Sequence, residues 1–284
     1  MSLNPYSLAM LGAVLITSVL AIYAWRRRER TEALVFAWLM AAVALWSVAY
    51  GLEIAVRNYD LMKVLLIASY PGIAAIPALW LILVLACCRY DAWLAPRIMM
   101  LLFILPGLTI LMIATNDLHG LFYTAVTPGV SNGYRYQALA HGPFWWLTIA
   151  YSHLAVVIGI LLFAHRYYLK AASAERLRII VLLAGAALPF IVNIAYVAGF
   201  RPHGFIDTTP VAFAGMGIIL AIGVFGFRFF DIAPLALEVL FQHILQKSQR
   251  RQRILGAGGG ISGQTYRSRV FAWHLSGMHT VALS

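Results

Sequence analysis

Residues 33–52 read ALVFAWLMAAVALWSVAYGL, twenty residues without a charge. At 1.5 Å rise per residue, about 20 apolar residues are what a helix needs to cross the ~30 Å hydrocarbon layer of a bilayer. The same ruler finds comparable stretches at Tyr6–Trp25, Val64–Cys88, Ile98–Ala114, Phe144–His165, Ile179–Gly199 and Pro210–Phe230. Together they predict an all-α integral membrane protein, a seven-helix bundle.

Composition agrees. Of 284 residues, 62% are hydrophobic and 11% charged, and mean hydropathy is +0.83. Soluble domains run nearer ~45–50% apolar and ~25% charged. The net charge of +11 would suggest nucleic acid in a soluble protein. Here much of it sits in short segments beside the apolar stretches, where Lys and Arg set orientation and interact with lipid. No nucleic-acid partner is expected.

The segments 26–32, 89–97 and 166–178 carry Arg26, Arg27, Arg28, Arg30, Arg89, Arg97, Arg166, Lys170, Arg176 and Arg178. Those at the opposite ends carry Arg57, Lys63, Arg135 and Arg201. By the positive-inside rule this bias predicts an outside N-terminus and a cytoplasmic C-terminus. The first stretch is read as an anchor and not a signal peptide, because its basic cluster follows the apolar run.

The longest outer connection, Thr115–Pro143, mixes turn formers with aromatics and polar groups, among them Asn116, Asp117, His119, Tyr123, Asn132, Gly133, Tyr134, Arg135, Tyr136 and His141. A loop of that length is commonly functional or disordered. Trp25, Trp93, Trp145 and Trp146 stand at stretch ends, where amphipathic rings favour the membrane interface.

Polar groups inside the stretches are costly and usually face protein. Trp46, Tyr50 and Glu53 share one helix face. Asn193 and Tyr196 form a similar pair, and Tyr151, Ser152 and His153 cluster in the fifth stretch. Such groups suit either a ligand-lined interior or interhelical hydrogen bonding. In Asp207-Thr208-Thr209-Pro210, the acid and hydroxyls suit a helix start and proline suits its first turn.

The order and spacing of several pieces resemble the N-terminal seven-helix sensor region of bacterial histidine kinases. They are Phe36-Ala37, Ala44-Leu45-Trp46-Ser47, Tyr50-x-x-Glu53, Tyr70-Pro71-Gly72-Ile73 and Pro77-x-x-Trp80. They continue through Thr115-Asn116-Asp117-Leu118-His119-Gly120-Leu121-Phe122-Tyr123, Gly142-Pro143, Tyr151-Ser152, Pro189 with Asn193, Asp207-x-Thr209-Pro210 and Asp231-Ile232-Ala233-Pro234. The resemblance covers about residues 5–236 and implies a multi-pass sensor of the bacterial inner membrane. Such a sensor perceives a small molecule at its outer or membrane-embedded side, and proteins of this kind are expected to work as homodimers. The expected ligand-binding set is Trp46, Tyr50, Glu53, Tyr70, Trp80, Asn116, His119, Tyr151, Asn193, Tyr196, Asp207 and Thr209. Signal transmission is expected through Asp231 and Pro234 into a cytoplasmic output.

Residues 1–234 are thus read as the sensor domain, and 235–284 as a signalling helix followed by a basic, disordered tail. After about Leu245 the family's pattern is lost, so a truncated or degenerate output is expected. Kinase catalytic motifs are absent: His243 is followed by Ile, His274 by Leu and His279 by Thr. Gly258-Gly259-Gly260 lacks the Lys-Ser/Thr and the preceding strand of a phosphate loop. No metal or cofactor is expected. Cys87 and Cys88 are adjacent, the histidines lack ligand spacing, and Pro210–Phe230 has no Lys to hold retinal. A small-solute transporter or channel is the alternative class, although Pro71, Pro77, Pro106 and Pro189 do not recur at matching places in two halves.

Overall fold

The computed structural model describes residues 5–131, 134–170, 173–200 and 206–226. In chain order its helices are α1 (Pro5–Trp25), α2 (Thr31–Glu53), α3 (Tyr59–Cys87), α4 (Pro96–Ala114), the single turn α5 (Asn116–His119), α6 (Pro143–Lys170), α7 (Ser173–Val197) and α8 (Thr209–Gly226). Each of the seven apolar stretches thus coincides with a helix. Five of the helices, α1 to α4 and α6, are long and apolar enough to cross a membrane. Within the described side chains of α7 and α8, the apolar segments are Leu183–Val197 and Thr209–Ile219.

Local chemistry explains where the helices begin. Asn58 caps α3, its Oδ1 accepting from the amides of Asp60 at 2.8 Å and Leu61 at 3.1 Å, which satisfies two donors that a helix start leaves open. Pro96 opens α4, where its missing N–H costs nothing. Inside the helices, the hydroxyls of Thr17, Ser47 and Thr109 donate back to carbonyls four residues earlier. In this way polar side chains are satisfied within an apolar surrounding.

Helix α1 packs on α2, α2 on α3, α3 on α6, α6 on α7, α7 on α8, and α8 returns to α1, closing a ring. Helix α4 rests against α3 and α6. The core of the ring includes Met40, Val43, Trp46, Val84, Phe163 and Met216, all buried. Gly72 lets α3 meet α2 at backbone contact: a Cβ there would lie 2.4 Å from the Ala42 carbonyl oxygen. Leu8, Leu11, Leu15 and Val19 on α1 and Met100, Leu101, Ile104 and Leu108 on α4 are exposed, giving the apolar outer faces that lipid covers.

One segment departs from an all-α reading. The Thr115–Pro143 connection is neither irregular nor a plain loop, since after α5 it forms an antiparallel hairpin of β1 (Tyr123–Ser131) and β2 (Tyr134–His141). Tyr123 pairs with His141 and Ser131 with Tyr134, with an irregularity between Tyr123 and Ala125. A satellite core of Leu66, Tyr70, Ile113, Phe122, Tyr123 and Trp145 joins the hairpin's base to the helices. Trp145 is consequently no interface anchor. It is 7% exposed and stacks on His141 with ring centroids 3.6 Å apart, whereas Trp25, Trp93 and Trp146 are exposed.

Candidate functional site

The geometry of the site begins with the hairpin's moorings. Asn116 Oδ1 accepts from the amides of Phe122 and Tyr123, each at 3.0 Å, and its Nδ2 donates to the Tyr123 carbonyl at 2.9 Å. His119 Nδ1 accepts from the Leu121 amide at 2.9 Å, and its Nε2 meets the Thr115 hydroxyl at 3.2 Å. Both residues hold the chain path into β1, and neither is in the wall of the two cavities described below.

Further ties run to the α2–α3 connection. Arg135 Nη1 donates to the Arg57 carbonyl at 2.7 Å, Gln137 Nε2 to the Tyr59 carbonyl at 3.4 Å, and Tyr59 Oη to the Gly129 carbonyl at 3.3 Å. Lys63 pairs with Asp117 at 2.5 Å, an exposed bridge of small energetic weight. At the hairpin's base the hydroxyls of Tyr70 and Tyr123 share a hydrogen bond. Burial pushes the Tyr123 hydroxyl well above its ordinary pKa of 10, and the neighbouring Tyr70 hydroxyl raises it further.

Beneath this roof lies an outer cavity of about 140 Å³. The ends of α2 and α7 and the first half of α3 form its wall, together with the start of α6, Asp207 and inward residues of the hairpin. Among the predicted residues it gathers Trp46, Tyr50, Glu53 and Tyr70, and also Asn193, Tyr196 and Asp207. At roughly 30 Å³ per water, the space suits about five waters or one small molecule.

Tyr50 and Asp207 close one side. The Asp207 amide donates to Tyr50 Oη at 2.8 Å. Asp207 Oδ1 in turn accepts from the Thr209 amide at 2.8 Å and from its hydroxyl at 2.5 Å. The acid therefore does set the entry to α8, as its position before Thr-Thr-Pro suggested, while also standing in the cavity wall. Glu53 is 6% exposed, and its Oε2 is buried without a hydrogen-bond partner.

An inner cavity of about 100 Å³ lies among α2, α3, α6, α7 and α8. Trp46, Ile73, Ile149 and Asn193 stand in the walls of both cavities. The inner wall is otherwise mostly apolar, with Trp80, Phe190, Phe213 and Met216 among its residues. Pro77 and Pro189 face it from two different helices, and each removes one hydrogen bond from its helix ladder. Trp80 and Thr209, both predicted site residues, belong here. The Trp80 indole nitrogen has no hydrogen-bond partner and is packed toward α6, where a Cβ on Gly159 would lie 2.5 Å from it.

Tyr151 is not brought to either cavity. Its hydroxyl donates to the Leu102 carbonyl of α4 at 2.7 Å, an interhelical bond of the kind that joins membrane helices. Its neighbours Ser152 and His153 do line the inner cavity, although each also bonds a carbonyl of its own helix. Sequence reasoning missed Tyr123, Tyr136 and Trp145 as wall residues of the outer cavity. Their signal was the density of aromatics in and after the long connection. Asp231 and Pro234 lie outside the described residues, as does Arg201.

No curated protein matches this chain. Its residues 9–234 match the family described as the N-terminal 7TM region of histidine kinase. That match spans most of the chain and contains all the described helices and both cavities, apart from the first turn of α1. The chain is therefore a membrane protein with several spanning helices, and it belongs to the family of N-terminal 7TM regions of histidine kinases, the sensor part of those proteins and not their catalytic domain.

Proposed function

We propose that this chain is a bacterial heptahelical receptor of the inner membrane. In this reading α1 to α4 and α6 to α8 all cross the bilayer, with the N-terminus and the hairpin outside and the end of α8 toward the cytoplasm. The excess of Arg and Lys at the α1–α2, α3–α4 and α6–α7 junctions supports that orientation. A small extracytoplasmic or membrane-soluble molecule enters the outer cavity, shifts the arrangement of helices, and the change passes along α8 through Asp231 and Pro234 to a cytoplasmic output. Residues 235–284 are the start of that output path, and the sensor acts as a homodimer.

The observation that carries this reading is the roofed outer cavity, whose wall joins α2, α3, α6 and α7 to the entry of α8. A ligand shifts an equilibrium only through differential affinity for its states. A wall drawn from so many helices gives a ligand something to distinguish. The pair Tyr50 and Asp207 ties that wall directly to the helix assigned to carry the signal.

Protein purified from its native membranes into nanodiscs, then extracted and examined by mass spectrometry, tests this. A small molecule retained by the wild type and lost from Ile149→Trp, which fills the wall common to both cavities, is the expected result. Absence of any retained molecule, or concentrative solute uptake in liposomes, would overturn the receptor reading.

A further inference from the structure

The wall of the outer cavity is uneven in charge. Glu53 is more than nine-tenths buried and forms part of that wall, with Oε2 unpartnered. A buried carboxyl group that nothing donates to is costly to ionise, and a cationic donor bound beside it removes that cost. Asp207 is a second acid in the wall, its Oδ1 already engaged by Thr209.

The arginine of the wall, Arg135, is drawn elsewhere. Its Nη1 bonds the Arg57 carbonyl at 2.7 Å, and its guanidinium lies over the Tyr59 ring at 5.4 Å from the centroid. His141, which also reaches the wall, is stacked on Trp145. Much of the remaining surface is aromatic, including Trp46, Tyr50, Tyr70 and Tyr196. Ring faces attract cations, the more so away from water. Trp46 and Asn193 also stand in the wall of the inner cavity, which is predominantly apolar.

We infer that the ligand class is a small protonated amine with an apolar body, its ammonium group beside Glu53 and its body directed past Asn193 toward the inner cavity. The ammonium supplies the N–H donor and the positive charge that Glu53 lacks. A carboxylate or phosphate ligand would meet two acids and a pre-engaged arginine. A neutral alcohol would gain only one hydrogen bond. This inference rests on the receptor reading above and specifies its ligand.

The test uses the full chain in nanodiscs at neutral pH and three probes of similar size: phenethylammonium, phenethyl alcohol and 3-phenylpropionate. Binding is followed by tryptophan fluorescence, since Trp46 and Trp145 stand in the cavity wall. Phenethylammonium should bind at least about tenfold more tightly than either other probe, the equivalent of ~1.4 kcal/mol. In Glu53→Gln that preference should fall to within roughly twofold. If the alcohol or the acid binds as well as the amine, and Ile149→Trp abolishes that binding, the amine assignment falls while the receptor reading stands. A preference that survives in Glu53→Gln also overturns the assignment. Binding of none of the three overturns the amine assignment alone, since the receptor reading is decided by the molecule retained from native membranes. The ranking in the wild type decides the matter even if Glu53→Gln does not fold.

Discussion

The backbone amide of Asp207 donates to the hydroxyl of Tyr50 at 2.8 Å, joining residues 157 positions apart in the chain. Through this bond the C-terminal end of α2 holds the residue that sets the entrance of α8. In Tyr50→Phe the amide loses its acceptor in a largely buried place, which should destabilise the fold by about 1–3 kcal/mol. Thermal unfolding in nanodiscs measures this, and an unchanged midpoint would show that water takes over the bond.

Asn116 makes three hydrogen bonds at the base of the hairpin. Asn116→Ala should therefore loosen the roof while leaving the helices intact. The expected cost is about 1–3 kcal/mol, with amide exchange accelerated at Phe122 and Tyr123. Hydrogen exchange by mass spectrometry checks the prediction, and acceleration spread evenly over α2 and α3 would contradict it.

Gly72 sits where α3 touches the backbone of α2. An added methyl at 2.4 Å from a carbonyl oxygen has no flexible neighbour to displace, because the obstacle is backbone. Gly72→Ala should destabilise by roughly 1–3 kcal/mol, in line with overpacked cores. It should also widen the space near Trp46 and so alter the fluorescence of the protein. A midpoint within experimental error of the wild type would mean that the two helices separate at no cost.

The buried Tyr123 hydroxyl titrates above its ordinary value of 10 in the folded protein. The unfolded chain therefore releases this proton at lower pH than the folded one. The contribution of neutral Tyr123 is complete below about pH 10 and is lost as pH climbs from there toward the folded-state value. Stability followed from about pH 8 upward should hold until about pH 10 and then fall, and Tyr123→Phe should flatten part of that fall. An identical alkaline slope in the variant would assign the loss to other groups.

The helical stretches are legible because length and hydropathy alone specify them. The stretch Tyr6–Trp25 differs from α1 by one residue and Ile98–Ala114 from α4 by two. Hydropathy puts the start of α3 at Val64, whereas the helix begins at Tyr59, since the charges of Asp60 and Lys63 interrupt the apolar run while the Asn58 cap starts the helix ahead of them. The hairpin is the larger miss. Asn132-Gly133 between two strand-like runs favours a two-residue turn, but these two residues lie outside the described ones, and the mixed polarity of the connection masks the alternation of its strands.

Site residues divide by a different logic. Trp46, Tyr50 and Glu53 are legible together because a helix fixes which residues share a face. Tyr151 has the right type and depth for a ligand contact but points to α4. Trp145 has the right place for an interfacial ring but is stacked under the hairpin. Both outcomes depend on which helix is the neighbour, and periodicity within one helix carries no information about that.

Trp46, Ile73, Ile149 and Asn193 come one each from α2, α3, α6 and α7 and form a partition between two chambers. A partition made of side chains swings on rotamers, whereas one made of backbone would need a helix to unwind. In the proposed receptor the two chambers would then serve as a corridor with an internal door, one that selects its guests by girth and by the chemistry of their leading end and tolerates variation in the length of the trailing part.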